Sequence, residues 1–307
     1  MCCIVKAQEN EIKEFTSKPI VTVFTNYHYG LGEESENSGF KADRAYFGYA
    51  FDYKEELSGQ IILDFGTMRT DSTKLDLIAF LKNAFVTWDK YGFQASFGLI
   101  KTNNFGFQEK FWGHRYVAKS FMDEEGFAPS ADLGLSIAYN FTDWLKADFQ
   151  VTNGEGHRRM EIDNSQRYGL GVTAEPINNF FVRGHYDMYA SAANNDELEQ
   201  TLSLFAGYEH SRFSIGAEYN HKWNSDFTLG LDYSGASVYS TVKLVDKLSV
   251  YAKYDYVQKE NDHSKIIGGL EYAPYKFLKI SPNVKSDISH MENSNATYLF
   301  LNVQIKI

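Results

Sequence analysis

Beyond Cys2 and Cys3 the 307-residue chain carries no cysteine. That excludes a disulfide framework and any thiolate metal centre in the body of the protein. Proline is scarce, with 5 residues, so few positions forbid a continuous ladder of strand hydrogen bonds. No run approaches the roughly 18 to 20 apolar residues of a membrane-spanning helix, and the mean hydropathy is −0.39. Neither value excludes a membrane, because the strands of a transmembrane barrel alternate polar with apolar and average out. Positive charge is in deficit. Thirty Lys and Arg stand against 40 Asp and Glu, a net charge of −10, so no nucleic-acid partner is expected.

Signatures of catalysis are missing too. There is no GxSxG, no HExxH and no Walker-type phosphate loop. GLGVTA at 169–174 matches a relaxed dinucleotide fingerprint, but its glycines occupy one face of a strand rather than a strand-to-helix turn. His185 stands two residues from Arg183 and from Asp187, a trio that reads as channel wall rather than as a catalytic site. The chain is expected not to be an enzyme and to need no cofactor or metal.

What the chain has is aromatics, 21 Tyr and 24 Phe among its residues, and a persistent period of two. In ADLGLSIAYNFTDWLKADFQVTN, Leu133, Leu135, Ile137, Tyr139 and Phe141 alternate with Asp132, Gly134, Ser136, Ala138 and Asn140. After the turn, Leu145, Ala147, Phe149 and Val151 alternate with Lys146, Asp148, Gln150 and Thr152. This is a β-hairpin with one apolar and one polar face. The same pattern recurs from PIVTVFTNYHY to the final ATYLFLNVQIKI, giving about 16 strands. DLIAFLKNAFVTWD (76–89) is apolar on both faces and fits either register. Residues 227–245 read as one tall strand or as a loop and a strand, and Pro282 demands an edge or an irregularity.

Connections alternate between short turns, such as DKYG and FTDW, and long loops, such as 103–130 and 153–165. Strands of about 9 to 12 residues match a tilted crossing of a hydrocarbon layer. Aromatics collect at both strand ends of the apolar face, where membrane barrels carry girdles. The expected fold is therefore all-β: a transmembrane antiparallel up-and-down barrel of about 16 strands, apolar face to the lipid bilayer and polar face to a water-filled lumen. MCCIVKAQENEIKEF resembles the end of an export signal. The expected organisation is residues 1–8 as a signal remnant, 9–18 as a periplasmic segment and 19–307 as the barrel. Both termini are expected on the periplasmic side of a bacterial outer membrane.

Inward-facing bases Arg44, Lys146, Arg167, Arg183 and Lys253 are matched by inward acids Asp52, Asp64, Asp132, Asp148, Asp187 and Asp255, with His185 among them. The longest connection, 103–130, carries Glu109, Lys110, His114, Arg115, Lys119 and Asp123. Loops longer than about 15 residues are commonly functional. Two placements stay open: folded into the lumen as a constriction, or capping its mouth. FWGHRYVAKSF reads as a short helix with Arg115 and Lys119 on one face.

The phrases KPIVTVFTNYHYG, DRAYFGYAF, LSGQIILDFG, FLKNAFVTW, GLIKTNNF, FWGHRYVAKSFMDEEGF and SADLGLSIAYNF resemble outer-membrane porins of Bacteroidetes, themselves distantly similar to the phosphate-selective porins O and P. The resemblance is sharpest over residues 18–155. It implies a sixteen-stranded diffusion channel and admits a homotrimer. Two features depart from the phosphate-selective pattern: the inward bases are balanced by acids, and the last residue is Ile307 rather than an aromatic. The expected function is passive diffusion of small hydrophilic solutes or ions with weak charge selectivity. The alternatives are a plugged accessory barrel that binds a partner through acidic loops (Glu33, Glu34, Glu36; Asp196, Glu197, Glu199) and an outer-membrane hydrolase.

Overall fold

The computed structural model describes residues 14–32, 38–68, 76–161, 164–190, 197–290 and 294–307. Residues 1–8, expected to be a signal remnant, and the acidic residues Glu33, Glu34, Glu36 and Asp196 lie outside them. Sixteen antiparallel strands close into one barrel, each paired with its sequence neighbours and β1 with β16. The first eight are β1 (Phe15–Leu31), β2 (Gly39–Tyr53), β3 (Leu57–Met68), β4 (Asp76–Lys90), β5 (Phe93–Lys101), β6 (Ala131–Asn140), β7 (Leu145–Thr152) and β8 (Arg167–Ile177). The rest are β9 (Phe180–Ala190), β10 (Leu198–Glu209), β11 (Phe213–Trp223), β12 (Tyr233–Val245), β13 (Leu248–Gln258), β14 (His263–Tyr275), β15 (Leu278–Ser289) and β16 (Ser294–Lys306). β1 begins at Phe15, so Phe15 to Lys18 pair with β2 instead of standing apart as a preceding segment.

Period two sorts the side chains as expected. Phe47, Phe97, Leu133, Leu170 and Leu204 are exposed on the outer face, while Asp64, Asp148, Asn220 and Asn302 are buried on the inner one. Closure removes the unpaired edges that an open sheet of this size would present. Outer-face rings sit at both ends of the strands. Tyr27, Tyr29, Tyr186, Tyr219 and Tyr254 lie towards the long loops, and Tyr49, Tyr53, Tyr139, Trp144 and Tyr272 towards the short turns. Both described chain ends are at the short-turn end: Lys54 N–H donates to Glu14 O at 2.9 Å, and Lys306 N–H to Phe277 O at 2.8 Å.

Two bulges explain where the alternation fails. Pairing passes from Ile62↔Asn83 to Leu63↔Leu81, so Lys82 is an extra residue. Lys82 and Asn83 are both buried on the inner side, and the inward parity of β4 changes there. That is why 76–89 fitted two registers. A second bulge falls between Phe24↔Arg44 and Thr25↔Ala42, with Asp43 as the extra residue. Pro282 pairs with Leu301 on one side. On the other, the ladder runs to Gly269↔Asn283 and resumes at Tyr272↔Ile280, as a residue without N–H requires. Residues 227–245 resolve into a loop with a 3-10 turn at Ser225–Phe227, then β12.

Candidate functional site

Between β5 and β6 the chain forms α1 (Asn103–Trp112) and α2 (Phe121–Glu124). The helix expected over FWGHRYVAKSF is displaced towards the N-terminus. Gly113 takes a left-handed φ of 70° and returns its N–H to Glu109 O at 3.2 Å, a C-terminal stop that glycine adopts without strain. Arg115 and Lys119 therefore sit beyond the helix, not on one face of it. α1 buries Asn104, Phe105, Gln108 and Trp112.

The polar groups of this segment bond to inner-face residues around most of the barrel. Asn103 donates to Asp148 Oδ1 at 2.9 Å and accepts from Ser136 at 2.9 Å. Asn104 donates to Ser203 Oγ at 2.8 Å. His114 meets Thr241 Oγ1 at 2.8 Å and Glu271 at 3.2 Å, with its ring stacked on Tyr251 at 4.4 Å. Tyr116 donates its hydroxyl to Glu271 at 3.0 Å, and Asn302 donates to Tyr116 O at 3.0 Å. Lys253 donates to Lys119 O at 3.3 Å, and Lys285 donates to Val117 O. Apolar contacts run the same way: Trp112, Tyr116 and Val117 form one buried cluster with Phe24, Phe205, Tyr239, Tyr251 and Ile267.

The expected wall residues divide into two groups. Beneath α1, charges neutralise one another out of water. Arg183 grips Asp148 with bonds of 2.6 and 3.0 Å. Arg167 pairs with Asp187 at 2.5 Å and Glu199 at 2.6 Å. His185 lies 3.7 Å from Asp187, and Lys222 lies 3.5 Å from Glu199. The cavity left among Arg167, His185, Asp187 and Asn104 holds about 10 Å³, which is about the space of one water. Glu199, expected in an acidic docking loop, is thus an internal counter-ion. Asp132 is also structural; it accepts from Leu133 N–H at 2.8 Å and Gly154 N–H at 2.7 Å. Asp255 is buried against Lys253 at 2.8 Å. Lys146 is half-buried, with no carboxylate within 4.0 Å among the described residues.

The unfilled space lies on the other side, along β1–β4 and β13–β16. Towards the short turns a chamber of about 630 Å³ is bounded by Lys18, Lys82, Lys101, Lys110, Lys306 and Arg115, with Asp52 and Glu109 as its acids. Towards the long loops a chamber of about 530 Å³ is bounded by Arg44, Lys119, Lys265, Lys285, Asp43 and Asp287, among others. Phe24 and Arg115 border both. Arg115 is clasped by Asp123 at 2.5 Å and Glu109 at 3.1 Å. Burial opposes its charge, yet Glu109 and Asp123 outweigh that and raise its pKa further. Arg44 reaches Asp64 at 3.5 Å, and Lys119 reaches Glu124 at 3.6 Å. Burial disfavours the Glu124 carboxylate, but Lys265 and Lys119 bring its pKa down to about 2.

Of the six residues expected in a constriction, Glu109, Lys110, Arg115 and Lys119 border the chambers and Asp123 holds Arg115. His114 is turned into the wall. Lys18, Lys82, Lys101 and Lys306 were missed. Lys18 and Lys306 follow from carrying the alternation of Ile20 and of Asn302 out to the strand ends. Lys82 is hidden by its bulge.

No family model matches the chain, and no curated protein matches it. Solved structures do. The anion-selective porin from Comamonas acidovorans is 11% identical with a TM-score of 0.73, over 96% of this chain and 100% of that one. OmpF of Salmonella typhi, in complex with daunomycin, is 12% identical with a TM-score of 0.70, over 96% and 99%. OmpT of Vibrio cholerae, in a trimer form, is 14% identical with a TM-score of 0.68, over 95% and 99%. The chain has the sixteen-stranded barrel fold of outer-membrane porins.

Proposed function

We propose that this protein is a porin of a bacterial outer membrane, a passive channel for small hydrophilic solutes with residues 103–130 as its constriction and both termini periplasmic. The observation that carries the reading is the pair of chambers, about 630 and 530 Å³, which share Phe24 and Arg115 in their lining. In this reading solute passes from one to the other beside Arg115, which lines both. The resemblance to Bacteroidetes porins supports the same class. A homotrimer is in keeping with the trimer form named for the Vibrio cholerae neighbour.

Selectivity follows from the lining rather than from the whole inward tally. Asp132, Asp148, Asp187 and Asp255 are held in the wall, and the short-turn chamber keeps six cationic side chains against two acids. A pore is selected by the charges that border its water, so a net anion preference replaces the weak preference expected from sequence. The test is the reversal potential of the purified, lipid-reconstituted chain under a KCl gradient. A sign that reports chloride as the more permeant ion supports the reading; a potential near zero removes the anion preference, and absence of conductance removes the channel.

A further inference from the structure

The short-turn chamber has a second property that chloride does not need. Lys18, Lys82, Lys101, Lys110 and Lys306 have no carboxylate within 4.0 Å among the described residues. In the other chamber most cations are answered: Lys41 by Asp43, Arg44 by Asp64, Lys253 by Asp255, and Lys265 by Glu124 and Asp287. Alongside the unanswered lysines, the inner face of β1, β3 and β4 carries Ile20, Ile62 and Phe85, where a water-filled lumen calls for polar residues. None of the three belongs to the buried apolar clusters that dock the long loop. Phe105 of α1 closes the same space. Uncompensated ammonium groups beside half-buried apolar side chains match a ligand with one anionic end and one apolar end. The volume of about 630 Å³ is in the range of small-molecule sites, roughly 300 to 1,000 Å³.

We infer that this chamber is a binding station for small organic monoanions with an apolar body, aromatic carboxylates being the fitting class. The inference rests on the channel reading above and names its substrate class. The carboxylate exchanges water for the Lys101 ammonium group, with the charge of Lys82, whose ammonium also donates to Ser130 Oγ, beside it, while the ring lies against Ile62 and Phe85. Inorganic anions use the first half of that arrangement only, and inorganic phosphate gains nothing from the apolar half.

Benzoate and acetate share a charge and differ in the ring. With the full chain in planar bilayers under symmetrical KCl, benzoate is expected to halve the chloride current at a concentration at least tenfold below acetate, about 1.4 kcal/mol. Benzyl alcohol, which has the ring without the charge, leaves the current unchanged at those concentrations. The double variant Ile62→Ser, Phe85→Ser brings benzoate to the acetate value. Equal block by the two carboxylates in the wild-type chain, or discrimination retained in the variant, overturns the inference. If the variant does not assemble, the wild-type comparison decides alone. A channel that prefers chloride but does not tell benzoate from acetate overturns this inference and spares the previous one; a channel without anion preference overturns both.

Discussion

Arg115 borders both chambers and is bound by two acids, so its replacement has two consequences of different kind. Arg115→Gln removes a cation from the junction and leaves Glu109 and Asp123 without their shared counter-ion. Breaking one partner of a largely buried ion pair costs about 3 to 5 kcal/mol, here charged to the docking of the loop. The expected result is a reversal potential shifted towards cations, with noisier single-channel current. Glu109→Gln shifts the potential the other way, and both are read in one KCl-gradient experiment. A second residue-scale prediction concerns acid. Glu124 has a carboxyl brought down to about 2 from 4.5. Its contribution is complete above about pH 4.5 and is lost as pH falls towards 2. His157, in the loop after β7, is pushed down to about 4 from 6.5 by burial and by the Lys82 and Arg158 charges. A released loop takes that proton near 6.5 and a docked one does not, so docking weakens as pH falls from 6.5 to 4. Current fluctuations are therefore expected to grow below pH 6.5, and His157→Gln is expected to remove the part of the rise between 6.5 and 4.

At the scale of the element, the segment 103–130 is fastened mainly by side chains meeting the wall. Tyr116→Phe removes one bond to the Glu271 carboxylate, and a hydrogen bond to a charged group is worth roughly 1.5 to 3 kcal/mol. Backbone amides around residues 114–119 are expected to exchange faster by a corresponding factor, with the melting of the barrel unchanged. If exchange across 114–119 is unaltered, the Glu271 contact does not fasten the loop. What the sequence tells about such an element depends on how local its cause is. Strand faces were legible because each obeys a two-residue period set by the pleat. The stop of α1 was legible in principle, since glycine at 113 after a helical run is a local signal. The register change at Lys82 was not, because an extra residue reads the same as a strand apolar on both faces. Nor was the division of inward charges into sealed and open groups. Asp148 and Asp52 look alike in sequence. Asp148 is sealed by Arg183 from two strands away, across Gly171 of β8, and by Asn103 of the long loop, whereas Asp52 is left at the edge of a chamber.

Across the whole molecule, everything turns on which face of the closed sheet meets hydrocarbon. Leu204 stands near the middle of β10 on the outer face and is exposed; Gln60 faces inward from β3 and lines the short-turn chamber. An arginine on the lipid face at the bilayer midplane costs about 2 to 4 kcal/mol, whereas lumen positions tolerate charge and tune selectivity. Leu204→Arg is therefore expected to lower the unfolding free energy of the lipid-embedded barrel by that amount, measured by reversible urea unfolding in bilayers. Gln60→Arg is expected to leave it unchanged within error and to raise the chloride preference. The pairing of the two results carries the weight. A barrel whose outer face met water would accept arginine at 204 at almost no cost, because exposed surface positions away from special contacts change stability by little. If Leu204→Arg is silent, the aromatic bands at the strand ends lose their meaning as girdles. The two chambers then become clefts of a water-soluble protein rather than a path across a membrane.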